Sequence, residues 1–153
     1  MSTSYVDLYI LPRNISAVLS MLRKADHPPE CVATAYEEDY AAWIGVEEVR
    51  NGELGIEELL QASKIPYTKL VEGTPDYKAY EEHFRILPSG TGYLRAWDEG
   101  DDSRLTLQAV HEASLESLAA VQELVAKHRG NYEVMTWGEQ YEVYNDLFGR
   151  EEV

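Results

Sequence analysis

The sequence predicts an α+β fold in a single domain, 1–153, with a mixed or mainly antiparallel sheet and three to four helices packed largely on one face. Two observations carry this prediction. The first segment alternates Val6, Leu8 and Ile10 with polar or aromatic residues, which is the period of a strand with one buried face. A β-meander occupies about 67–110, where short apolar segments alternate with Gly, Pro, Ser and Asp turns. Stripes of helical period separate and follow these strands.

The first third of the chain predicts a strand, a helix and a hairpin. After the strand YVDLYIL, Asn14 can cap a helix that ends before the prolines at 28 and 29. The segment 31–50 is ambiguous, because it fits either two strands or a helix interrupted at Gly45. We favour strands, since Asn51-Gly52 is a strong turn signal and Gly weakens a helix.

The remainder of the chain predicts further helices and strands. A short helix at 55–65 has Ile56, Leu59 and Leu60 inward. A helix from Ser114 to Gly130 carries the longest apolar stripe. The other predicted elements are strands at 67–72, 76–87, 92–99, 104–110 and 132–137, and a helix at 139–148.

The charge balance restricts the partners. The chain has 28 acidic and 13 basic residues, a formal net charge of −15. This argues against direct contact with nucleic acid or with an anionic membrane, because both need Lys and Arg to neutralise phosphates. The acidity is uneven: 31–60 carries −7, whereas 1–30 and 61–90 are neutral.

Few residues suggest a cofactor or metal. Cys31 is the single cysteine, so an internal disulfide and a multi-thiolate site are excluded. The N-terminus has no signal-peptide pattern, and we expect a cytoplasmic protein. The acidic turn DEGDDS at 98–103 lacks the ligand order of a calcium loop, and we interpret it as a hairpin turn. We expect neither cofactor nor metal.

The main hypothesis is a non-enzymatic acidic binding protein. Its acidic, aromatic surface would engage a basic protein surface, as an inhibitor, an immunity protein or a nucleic-acid mimic does. Tyr and Trp supply rigid contact area with a polar end. The predicted partner-binding residues are Tyr36, Glu37, Glu38, Asp39, Tyr40, Trp43, Glu47 and Glu48.

Two alternatives stay open. One is a small-molecule-binding or enzymatic α+β domain with a pocket beside the meander, in which histidines do acid-base work and arginines orient an anionic group. Its residues would be Glu82, His83, Arg85, Arg95 and His111. In the other alternative the acidity only maintains solubility, and the chain pairs with itself as a homo-oligomer.

Overall fold

The computed structural model describes residues 3–36, 40–98 and 106–150. Its contacts form two compact units. Unit 1 comprises Met1–Glu99 together with Met135–Val153, and unit 2 comprises Gly100–Val134. Within the described residues the chain is α+β, with six antiparallel strands in one sheet and five α-helices.

The elements follow one another in a regular order. The strands are β1 Thr3–Ile10, β2 Cys31–Tyr36, β3 Ala41–Arg50, β4 Tyr67–Val71, β5 Tyr80–Ile86 and β6 Gly92–Asp98. The helices are α1 Ile15–Lys24, α2 Glu57–Ala62, α3 Leu107–Glu116, α4 Leu118–Tyr132 and α5 Trp137–Phe148, and a 3-10 turn, Pro12–Asn14, precedes α1.

The sheet has the order β2-β3-β1-β4-β5-β6. Its first four strands and two helices follow the β-α-β-β-α-β order of ferredoxin-like domains, and β5 and β6 extend the sheet as a meander. The segment 31–50 forms the predicted hairpin. Asn51 and Gly52 both have positive φ, as the predicted turn requires.

The main core lies on the face of the sheet that α1 and α2 cover. Val6, Leu8 and Ile10 are buried there, and the alternation predicted for β1 is confirmed. From α1, Val18 and Leu22 fill this core, and from α2, Leu60 does so. Leu59 was predicted inward but is 49% exposed, because the short α2 presents only one residue of that pair to the sheet.

Helix α5 contacts the opposite face. A second cluster of buried residues there contains Leu11, Ala41, Trp137 and Tyr144. Helix α5 begins at Trp137, two residues earlier than predicted. The predicted strand at 132–137 is wrong: Tyr132 ends α4, and the hydroxyl of Thr136 accepts a hydrogen bond from the Glu139 amide and so caps α5.

Unit 2 corrects the end of the predicted meander. Among the described residues the meander stops at Asp98, and 107–110 is the first turn of α3 rather than a strand. Thr106 caps this helix by accepting from the Ala109 amide at 3.0 Å. The four residues 107–110 fit either a strand or a helix, and the Thr106 cap favours the helix. The turn predicted at 98–103 extends beyond the described residues.

The predicted helix of unit 2 is two helices. Ser114 lies inside α3, and the cap is Ser117, whose hydroxyl accepts from the Ala120 amide at 3.1 Å. Helix α4 continues through Gly130 to Tyr132. None of the helices in the described ranges combines the length and apolar character that crossing a bilayer requires.

Candidate functional site

The structure describes the side chains of four of the eight predicted partner-binding residues: Tyr40, Trp43, Glu47 and Glu48. Glu47 and Glu48 are exposed near the end of β3. Glu37, Glu38 and Asp39 lie outside the described residues, as does the side chain of Tyr36. Glu47 is six residues beyond Ala41, where β3 begins, roughly 20 Å along an extended strand. The strand therefore separates Glu47 and Glu48 from Tyr40, which precedes it.

The two other aromatic residues of this prediction have structural contacts. Tyr40 stacks with Tyr141 of α5, with ring centroids 5.0 Å apart, and packs against the second core cluster. The indole of Trp43 donates to the Asp7 carboxylate at 2.7 Å on the face opposite α1 and α2. Tyr40 thus packs against α5, and Trp43 joins β3 to β1.

The sheet register collects other acids at one end of unit 1. A row of paired residues crosses four strands there: Val46, Val6, Val71 and Tyr80. Glu47 and Glu82 lie within two residues of this row, but on opposite faces, because Glu47 follows the core residue Val46 whereas Glu82 is paired with Lys69 on the α2 side. The turn after β3 adds Glu53 before α2 begins with two more glutamates. We call this group the acidic end of the sheet; it comprises Glu47, Glu48, Glu53, Glu57, Glu58 and Glu82.

Crowding of carboxylates affects the edge of this group. The pKa of Glu47 is raised, first by a hydrogen bond with Glu30 and then by the charge of that neighbour. Glu30 is fixed here because its amide donates to the Gly45 carbonyl at 2.8 Å. Two carboxyl groups this close favour the uptake of a proton or of another cation.

Four residues of the acidic end, Glu53, Glu57, Glu58 and Glu82, line a pocket of about 430 Å³, which we call the charged pocket. It lies beside the meander strands β4 and β5 and under α2. A volume of this size is within the range of small-ligand sites. The side chains that line it are Glu53, Glu57, Glu58, Lys69, Tyr80 and Glu82.

Lys69 forms the floor of the charged pocket, and only 3% of its side chain is exposed. Its ammonium donates to the Glu57 carboxylate at 2.8 Å and to the Gly52 carbonyl at 3.1 Å, and lies 3.8 Å from Glu82. Burial acts to lower the pKa of Lys69, but the hydrogen bond and charges of its carboxylate partners outweigh burial and leave it raised. Lys69 is therefore a protonated cation that makes two hydrogen bonds and one longer ion pair.

The local sequence explains how Glu57 and Gly52 reach this lysine. The Glu57 carboxylate accepts from the amides of Leu54 and Ile56 at the start of α2, which fixes its position. Burial acts to raise the pKa of Glu57, but Lys69 and the backbone amide of Leu54 leave it lowered. At Gly52 an added Cβ would lie 2.5 Å from Val71, so only glycine brings the turn this close.

Glu82 is held from the opposite wall. The hydroxyl of Tyr67 donates to its carboxylate at 2.6 Å, and Gln61 of α2 donates to that hydroxyl at 3.0 Å. Burial and the hydrogen bond to Glu82 raise the pKa of Tyr67, so the phenol stays a neutral donor. Only one oxygen of Glu82 is used in these bonds, and the side chain is 18% exposed.

The residues of the alternative pocket hypothesis are divided by strand alternation. Of the five, only Glu82 lines the charged pocket. His83 and Arg85 alternate with Phe84, which lies in the main core, and so they belong to the opposite face. Arg95 is the strand partner of His83 on β6. His111 was predicted on or beside the meander, but it is an exposed residue of α3 in unit 2.

Arg85 is the centre of a buried network on that opposite face. Its guanidinium donates to the carbonyls of Met135 and Tyr67 and to the Thr68 hydroxyl at 2.8 to 2.9 Å. The Trp137 ring covers the same guanidinium at 4.1 Å. This arginine joins β4, β5 and the segment before α5, and it is only 3% exposed.

His83 continues the network toward the sheet end. Its Nδ1 lies 2.9 Å from the Thr68 hydroxyl, and its Nε2 lies 3.2 Å from Glu81. Because Arg85 donates to Thr68, we assign Thr68 as donor to Nδ1, which leaves the imidazole proton on Nε2. Burial is the main cause of the lowered pKa of His83; Arg85 lowers it further, and Glu81 opposes both.

The order hydroxyl, imidazole and carboxylate resembles a nucleophile relay. Thr68 is 6% exposed, however, and its oxygen already accepts from Arg85. The Trp97 ring also packs on the imidazole, with centroids 4.9 Å apart. The arrangement therefore stabilises the sheet instead of presenting a hydroxyl to a substrate.

The sequence reasoning missed Lys69 as a candidate. A lysine with two glutamates twelve and thirteen residues away carries no motif, and only the register of β4 with β5 reveals that Lys69 is paired with Glu82. The available signal was the alternation of Tyr67, Lys69 and Val71 in YTKLV. It places a charge on the same face as two core residues, and a buried charge requires a partner. Within 3–36, 40–98 and 106–150, no group of three or more His, Cys, Asp or Glu residues is arranged to hold a metal ion.

Comparisons with protein-family models, with curated proteins and with solved structures find no match to this chain.

Proposed function

We propose that this chain is a non-enzymatic binding protein whose acidic end of the sheet engages a basic surface of another protein. The observation that carries the proposal is the charge of the pocket. Four glutamates and one lysine line it, and the lysine donates its hydrogen bonds to Glu57 and to the Gly52 carbonyl. A negative, partly enclosed surface attracts a cationic partner and repels nucleic acid and anionic ligands.

The net charge supports the same proposal. At −15 the chain has a long-range negative field that would accelerate encounter with a basic protein, and salt would weaken this attraction. In the sharper form, the partner surface is itself a nucleic-acid site, and the chain acts as an inhibitor, an immunity protein or a nucleic-acid mimic. That form adds the expectation that a DNA or RNA fragment competes with the chain for the partner.

The test is partner capture from a lysate on the immobilised chain at roughly 50 and 300 mM salt, between which the Debye length falls about 2.5-fold. The matched variants are Glu53→Gln/Glu58→Gln in the charged pocket and Glu112→Gln/Glu123→Gln in unit 2, since all four side chains are exposed. We expect the captured protein to be lost at high salt and with the first pair but kept with the second. Capture that is unchanged both at high salt and by the first pair of substitutions contradicts the proposal.

A second candidate function is the binding of a small cationic molecule. It is favoured by the volume of the charged pocket, about 430 Å³, which is within the range of small-ligand sites. The two candidates differ in the size of the ligand and share the chemistry that the pocket recognises.

A further inference from the structure

We propose that the charged pocket is a recognition site for one guanidinium group, and that in the protein partner this group is the side chain of an arginine. The inference rests on the proposed function for the source of the cation, but the pocket chemistry stands on its own. It is argued from the groups that remain free after the internal contacts of the pocket are made.

A lysine at the floor of a pocket suggests two other uses, and both conflict with its contacts. An anion site needs a lysine whose charge is available, whereas Lys69 donates to Gly52 and Glu57 and forms an ion pair with Glu82 at 3.8 Å. An amine nucleophile needs a neutral lysine, whereas the carboxylates keep Lys69 charged. Lys69 instead holds two carboxylates in fixed positions on the pocket wall.

The charge that remains is negative. Glu57 is used by Lys69 and by two backbone amides. One oxygen of Glu82 is free of these contacts, and Glu53 and Glu58 are exposed at the rim. Three carboxylates thus face one cavity with no second cation among its lining residues. A cationic ligand relieves their mutual repulsion, and an anion increases it.

The geometry favours guanidinium over ammonium. A guanidinium is planar and carries five donors in a rigid fork, so it can serve carboxylates on different walls at once. The Tyr80 ring forms part of the wall, and its hydroxyl is fixed by donation to the Asn51 carbonyl at 3.0 Å. A flat ring beside carboxylates matches a flat cation, whereas a compact ammonium loses strong hydration to gain fewer contacts.

The internal network prepares the site in advance. Gln61, Tyr67 and Lys69 connect Glu82 to α2 through a chain of hydrogen bonds. Because these side chains are already ordered, little conformational entropy is lost when a ligand binds. The pocket thus needs no rearrangement of its floor, and its specificity depends on the rim.

The test is calorimetric titration of the full chain with three blocked tripeptides, Gly-Arg-Gly, Gly-Lys-Gly and Gly-citrulline-Gly. The citrulline side chain has the shape of arginine without its charge. We expect saturable binding of the arginine peptide, at least about tenfold weaker binding of the lysine peptide, and none of the citrulline peptide. Equal affinity for arginine and lysine, or binding of citrulline, overturns the guanidinium assignment.

Variants locate the site. Glu53→Gln/Glu58→Gln removes two exposed rim charges and should weaken the arginine peptide about tenfold, whereas the equally charged control Glu112→Gln/Glu123→Gln should change it less than about twofold. Unfolding curves of both variants confirm that they are folded. If both variants weaken binding equally, the cation is held by net charge alone and the pocket assignment is wrong.

A second arm distinguishes the source of the cation. N-methylguanidinium chloride presents the same group without a peptide. Binding of the peptide well above that of N-methylguanidinium supports an arginine of a protein, and the reverse order supports a free guanidino compound and overturns the protein source. If guanidinium binds the pocket while the lysate capture fails, the pocket inference stands and the proposed function falls; the opposite pair of results rejects the pocket alone.

Discussion

Strands β4 and β5 carry two charged networks, one on each face, and the two differ in what remains free. On one face Lys69 and Glu82 line the charged pocket, and on the other Thr68, His83 and Arg85 are covered by tryptophans. In the covered network the side chains hydrogen-bond to backbone carbonyls and to one another. The pocket network keeps rim carboxylates exposed. Buried charge therefore indicates a binding site only when some of its hydrogen-bonding capacity is left over.

The comparison predicts the largest loss of stability at Arg85. Lysine in this position keeps the charge but lacks the fork that reaches Met135, Tyr67 and Thr68, so Arg85→Lys should lower the free energy of unfolding by about 3 kcal/mol. Denaturant unfolding measures this change. The control Arg23→Lys, at an exposed position on α1, should change stability by less than about 0.5 kcal/mol. Equal effects of the two variants would remove the distinction between the faces.

A smaller loss is expected at the pocket floor. Lys69→Met leaves Glu57 and Glu82 without their cation, but both are near solvent, so we expect about 2 kcal/mol at neutral pH. The folded pKa of Glu57 lies below its usual 4.5, so Lys69 stabilises the fold above that pH and the benefit is lost as pH falls. Wild type and variant should therefore converge in acid.

A rescue variant tests this cause. Adding Glu57→Gln to Lys69→Met removes one of the uncompensated charges and should recover part of the stability. Denaturant unfolding of the single and double variants between pH 3 and 8 supplies the measurement. If the double variant is less stable than Lys69→Met at every pH, the lysine contributes packing and not charge.

The cap of α5 makes the next contribution. Thr136→Ala removes the hydroxyl that accepts from the Glu139 amide and should cost about 1 kcal/mol, whereas Thr136→Ser should retain most of it. The same helix holds Trp137 over Arg85. In the alanine variant, the change in tryptophan fluorescence on unfolding should therefore occur at a lower denaturant concentration. An alanine variant as stable as the serine variant would show that the covered face does not depend on this helix start.

His83 should give the smallest of these effects, visible as a slope with pH. Its folded pKa is below the usual 6.5, so the neutral ring stabilises the fold above that pH, and this stability is lost as pH falls through the folded pKa. His83→Gln should flatten the decrease between about pH 7 and 5. His111→Gln, at an exposed position, is the matched control and should leave the wild-type slope. A wild-type slope in His83→Gln would place the titration elsewhere.

Much of the fold could be predicted from sequence because the signals are local. The alternation of β1, the stripe of α1 and the Asn51-Gly52 turn each depend on a few neighbouring residues. The segments at 104–110 and 132–137 were mispredicted, since apolar residues there fit strands while Thr106 and Thr136 cap helices. A threonine before an apolar segment was the signal to weigh more heavily.

The candidate site was less predictable because it depends on register. The segment 31–60 was correctly identified as the acidic one, but the hypothesis joined Glu47 to Glu37 along the chain. In the structure the pairing of β4 with β5 places Glu82 beside Lys69, where it lines the charged pocket with Glu57, and Glu47 does not line this pocket. Strand order is set by long-range packing, and no local pattern determines it.

The central claim is that the charged pocket binds a cation through its free carboxylates. A chemical-shift titration with N-methylguanidinium chloride, against sodium chloride at equal ionic strength, tests it most directly. The account predicts saturating shifts at the Tyr80 ring and at the Glu58 and Glu82 carboxyl carbons, absent with sodium. Shifts that never saturate, or that spread equally over exposed acids such as Glu123, would contradict it.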